Sequence, residues 1–142
     1  MFFNPSRDEA RLFLFESWRK RRAKELVMPL EDLAAQLIEK HPEYFAMFED
    51  RERYLDRDYS PEQGELNPFL HLMMHLTIEE QISIDQPPGI RAHFVRLTHK
   101  FESEHDAQHR IMECLSEMIW QAQRNRTQPD AAVYLNGLAE IK

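Results

Sequence analysis

Proline placement constrains this chain more than any other feature. Pro29, Pro42 and Pro68 each stand at the head of an apolar run. A first helical turn tolerates a residue without an amide hydrogen, whereas a helix interior or a central strand does not. Ser6-Arg7-Asp8-Glu9 has the S-x-x-E form of a capping box and predicts a first helix from about Arg7 to about Leu26. "PLEDLAAQLIEK" predicts a second, with Leu33, Leu37 and Ile38 on one face. His41-Pro42 stops it, because a residue ahead of proline avoids the helical region. "PEYFAMFED" then reads as a short third helix.

Residues 51–66, "RERYLDRDYSPEQGEL", are charged and hold Pro61 and Gly64. They predict an irregular connection pinned by Tyr54 and Tyr59. Asn67-Pro68 caps and opens a fourth helix to Ile84. "DQPPGI" is a sharp turn signal, followed by a fifth helix over about Ile90 to Phe101. Ser103 N-caps a sixth, about Glu104 to Arg124, and "PDAAVYLNGLAEI" closes the chain as a short helix. With three glycines and few strand-like runs, the expected fold is all-α, a single-domain bundle of six or seven helices over residues 1–142.

The net charge of −7 argues against a general nucleic-acid binder, since phosphate contacts need a basic surface. "WRKRRAK", Trp18 to Lys24, runs against that balance. It reads either as a patch for an acidic partner or as a solvated last helical turn, where cations suit the helix dipole. No apolar stretch has the length of a membrane span, and "MFFNPSRDEARLF" lacks the pattern of a signal peptide. One cysteine, Cys114, leaves no internal disulfide framework and fits a reducing, cytoplasmic setting.

"HLMMHLTIEEQ" raises the question of chemistry. His71, His75 and Glu79 are spaced by four within a run as apolar as core. "HDAQHRIME" repeats the spacing at His105, His109 and Glu113. Residues four apart are neighbours on one helix face, so each H-x-x-x-H-x-x-x-E ladder occupies an arc of about 80°. Both ladders border apolar faces, which turns them toward other helices. Imidazole and carboxylate together suit zinc, iron, manganese, nickel or copper, with zinc and iron the leading expectations. Each ladder climbs about 12 Å, too far for one ion to reach all six side chains. One ion on the best-facing pairs, or two neighbouring ions, is therefore expected, with the glutamates as ligands or as groups that orient them.

The competing expectation is a non-catalytic helical interaction module, with the ladders as a structural polar network and an unidentified protein as partner. No Gly-rich phosphate loop, nucleophile elbow or C-x-x-C pair is present. Nothing in the sequence marks an open coordination position, so no reaction is assigned. His93 and His99 do not share a face and read as boundary histidines. His41 reads as a helix stop and Cys114 as a small core residue.

"NPFLHLMMHLTIEEQISIDQPPGIR" and "MECLSEMIWQAQR" resemble the signature segments of an uncharacterised bacterial family, domain of unknown function 1841. "NPSRDEAR", "HPEY" and "PDAAVYL" extend the resemblance over nearly the whole chain. It implies a small helical protein with both histidine pairs inside the matching segments. It implies no activity.

Overall fold

The capping box at Ser6 forms as its spacing predicts. Ser6 Oγ accepts from the Glu9 amide at 3.2 Å, and the Ser6 amide donates to Glu9 Oε1 at 3.4 Å. It opens α1 (Arg7–Arg22). Replacing Ser6 with alanine leaves an amide without its acceptor and should cost about 1 kcal/mol in urea unfolding. A loss near zero would mean that solvent caps this end equally well.

The computed structural model describes residues 6–60 and 66–142, so Pro61 and Gly64 of the expected connection lie outside the described residues. After α1 come α2 (Pro29–Glu39), a 3-10 turn (Pro42–Tyr44), α3 (Phe45–Phe48) and α4 (Arg51–Tyr54). Then follow α5 (Pro68–Ile84), α6 (Ile90–Phe101), α7 (Glu104–Asn125) and α8 (Ala131–Glu140). Among the described residues there is no strand, and the protein is all-α as expected. No described helix is long and apolar enough to cross a membrane.

Two local expectations need correction. The first helix ends at Arg22, four residues before Leu26. Lys24 adopts a left-handed φ of 58°, the Glu25 amide reaches back to Lys20 O at 2.9 Å, and the Lys24 amide reaches Arg21 O at 3.2 Å. That is a Schellman end, built without the glycine that usually marks one. Second, the start of the charged connection is not irregular throughout, because Arg51–Tyr54 forms the single turn α4.

The chain forms two compact units that divide between Leu76 and Thr77, within α5. In the first, Leu14 and Trp18 of α1, Leu37 and Ile38 of α2, Phe48 of α3, and Phe69 and Leu72 of α5 share one core. Phe15 packs on Phe48 with ring centroids 5.0 Å apart, and Trp18 stacks on Phe45 at 5.2 Å. The basic end of α1 is neither an open patch nor simply solvated. Lys20 pairs with Glu31 at 2.8 Å, while Arg21 pairs with Asp32 at 2.6 Å and with Glu39 at 3.0 Å. Acidic residues of α2 thus neutralise much of "WRKRRAK" and stitch α1 to α2.

In the second unit, Ile90, Leu97, Ile111, Tyr134 and Leu138 are fully buried. Tyr134 Oη donates to Gln81 Oε1 at 2.8 Å. Arg96 donates to Leu138 O at 2.9 Å and to Ile141 O at 2.5 Å, satisfying carbonyls at the end of α8. A Cβ on Gly137 would stand 3.3 Å from Cys114 Sγ, so glycine permits the close approach of α8 to α7. Asp85 holds the turn between α5 and α6 by accepting from the Gly89 and Arg91 amides at 3.2 and 3.0 Å.

Candidate metal centre

Helical spacing places His71 and His75 one turn apart on α5, and packing of the first unit adds a third imidazole. His41 follows the C-terminus of α2, where its Nδ1 lies 2.7 Å from Leu37 O. A carbonyl can only accept, so Nδ1 carries the hydrogen and the neutral ring keeps its lone pair on Nε2. That Nε2 lies 3.1 Å from His71 Nε2, and His75 Nε2 lies 3.2 Å from the same atom. Two nitrogens bound to one ion at about 2.0–2.1 Å stand roughly 2.9–3.4 Å apart, depending on the angle between them. The observed separations fall in that interval. His41 thus turns this lone pair toward His71.

Burial sharpens the point. His75 is fully buried and His41 is 2% exposed, while His71 is half-buried. Tyr44 stacks on the His41 ring at 5.2 Å with planes 4° apart, restricting its orientation. Buried imidazoles carry a desolvation cost unless both nitrogens find partners.

On α7, Ser103 caps the helix by accepting from the Asp106 amide at 3.1 Å. This start sets His105 and His109 on successive turns, both half-buried, with ring centroids 4.2 Å apart. His41 and His75 in the first unit and His105 and His109 in the second are histidines compatible with metal binding. His75, His105 and His109 belong to the two ladders. His41 was read only as a helix stop.

His71 meets His41 and His75 through the two short nitrogen contacts. Glu79 accepts from Gln108 Nε2 at 2.5 Å. Glu113 is exposed and bonds Arg110 at 2.7 Å. His93 accepts from Arg96 Nη2 at 3.0 Å, and burial followed by the Arg96 charge lowers its pKa. His99 is exposed.

The sequence match decides the family. A model of domain of unknown function 1841 covers residues 6–140. The chain belongs to this family. The match takes in His41, His71, His75, His105 and His109, so every histidine of the centre lies within the family's own domain. No curated protein and no solved structure matches the chain.

Cys114 is no rival centre. It is buried, and that burial pushes its thiol pKa up, leaving little thiolate at neutral pH. Alkylation by iodoacetamide should therefore be much slower in the folded protein than in urea, as followed by mass spectrometry. Equal rates would contradict the buried placement.

Proposed function

We propose that this protein binds one transition-metal ion through His41, His75, His105 and His109. The observation that supports the reading is the spacing of imidazole nitrogens in the first unit, where His41 Nε2 and His75 Nε2 lie 3.1 and 3.2 Å from His71 Nε2. The chemistry supports it from three directions. Imidazole nitrogen is a borderline-soft donor, suited to zinc, iron, nickel or copper and poorly suited to magnesium or calcium. The His41 tautomer is set by the Leu37 carbonyl, which leaves Nε2 as the donor, the usual device for orienting a metal-bound histidine. A shared ion would also account for the short separations among the Nε2 atoms of His41, His71 and His75.

His71 is the nearest addition to the shell and would enter if coordination rose to five. Four imidazoles are neutral, so the ion would keep its full charge. Glu79, one turn beyond His75 on α5, is the carboxylate proposed to offset it. Glu113, engaged by Arg110, takes no part in the proposed set. Zinc and iron remain the leading candidates, in a cytoplasmic setting consistent with the single cysteine.

Elemental analysis tests the proposal on protein purified without a histidine tag. Near-stoichiometric metal is expected, either as isolated or after titration with zinc or ferrous iron. X-ray absorption at the metal edge should show a shell of nitrogen neighbours at about 2.0–2.1 Å with imidazole scattering. Protein that stays metal-free through both titrations would sink the reading and favour the helical interaction module.

A further inference from the structure

The first unit also contains a cavity of about 440 Å³ at the basic end of α1. This lies within the usual range for small-molecule sites. Phe15, Trp18 and Phe48 form its apolar lining, Arg19, Arg22 and Arg51 supply positive charge, and Glu49 is the one acidic residue of the lining.

Two independent features indicate what it would take. The first is an unmet donor. Trp18 is 4% exposed, and its indole Nε1 is buried without a hydrogen-bond partner. A buried N–H in that state calls for an acceptor oxygen. The second is an imbalance among the arginines. Arg19 is committed, donating to Glu16 at 3.0 Å and to Glu25 at 2.7 Å. Arg22 is not held in this way. Its guanidinium lies over the Trp18 ring at 5.6 Å and only 3.7 Å from Glu49, beyond hydrogen-bond range. Arg51 meets Glu16 only at 3.4 Å. Thus two cations with weak partners share the cavity lining with the indole, on a protein whose overall charge is −7.

We propose that this cavity binds a small organic anion, a carboxylate carried on a flat apolar body. The body packs against Phe15, Trp18 and Phe48. The indole N–H is closed off by its own neighbours, and a turn of the Trp18 ring on binding brings it to one carboxylate oxygen, while the charge is met by Arg22 and Arg51. Charge-assisted hydrogen bonds from arginine to carboxylate are the strong class, so the anion contributes affinity as well as orientation. The site shares no residue with the histidine cluster, so its fate is separate from that of the metal.

The test uses the full chain, naphthoate as probe and naphthalenemethanol as its uncharged counterpart. Binding is followed through the two tryptophan indole signals in ¹H–¹⁵N spectra, with Trp18→Phe assigning them. Naphthoate should move the Trp18 indole proton downfield in a saturable way and leave that of Trp120 in place. The alcohol should bind at least about tenfold more weakly, and Arg22→Gln should weaken naphthoate by about tenfold while hardly changing the alcohol. Arg22 is exposed, so its replacement should not disturb folding. Absence of a saturable shift, equal binding of acid and alcohol, or equal movement of both indoles would overturn the proposal. So would indifference to Arg22→Gln. Each would leave the indole N–H as a group served by buried water.

Discussion

Zinc added to the metal-free protein should raise its melting temperature by about 10 °C. A ligand that binds only the folded state at about a thousand times its dissociation constant stabilises by roughly 4 kcal/mol. In a chain of this size each kcal/mol shifts the midpoint by about 2–4 °C. The pair His75→Ala and His109→Ala should abolish the shift, because two of the four proposed donors are lost. His41→Ala alone should remove most of it, although this histidine belongs to neither ladder. Glu113→Gln should leave the shift intact, since that carboxylate is exposed and bound to Arg110. Differential scanning fluorimetry over a zinc or iron titration reads all three variants. An unchanged response in the double variant would place any bound metal elsewhere. Full retention in His41→Ala would restrict the ligands to the two ladders.

Arg11→Met should destabilise the protein by about 3 kcal/mol in urea unfolding, as the loss of two part-buried, charge-assisted hydrogen bonds to carbonyls implies. Arg11 lies on α1 and is 3% exposed. Its Nη1 donates to Leu55 O at 2.9 Å and to Arg57 O at 2.7 Å, and its guanidinium sits 4.4 Å from the centre of the Phe69 ring. Methionine keeps the stem and its packing but removes the donors and the cation over the ring, worth about 1 kcal/mol more. Arg7 holds the same segment more loosely, reaching Arg57 O at 3.1 Å from an exposed position. Faster amide exchange over residues 55–60 should accompany the loss. A cost below about 1 kcal/mol would mean that water replaces the guanidinium at those carbonyls.

Arg11 also shows where pattern reading stops. Its helical spacing sets it beside Leu14, Phe15 and Trp18, but its charge gives no hint that it will be buried, because its acceptors are backbone carbonyls 44 and 46 residues away. Helix starts were legible, since caps and prolines act over three or four residues. Ser6, Pro29, Pro68 and Ser103 all stand where they were expected. The end of α1 was less legible. Lys24 takes the left-handed position without a glycine to signal it, as do Asp85 beyond α5 and Arg126 beyond α7. Similarly, the charges of "WRKRRAK" were visible, but not that Glu31, Asp32 and Glu39 would answer them.

The histidines divide along the same line. Sequence alone determined that His71 and His75 share a face of one helix and His105 and His109 a face of another. Helical geometry makes residues four apart neighbours whatever surrounds them. It also determined an all-α chain, since capping and proline placement are local. Only the tertiary structure brought in His41, 30 residues before His71, with its Nε2 3.1 Å from that ring. The Leu37 carbonyl at the close of α2 and the Tyr44 ring aim it there, and a contact across such a separation follows from packing rather than from any repeating interval.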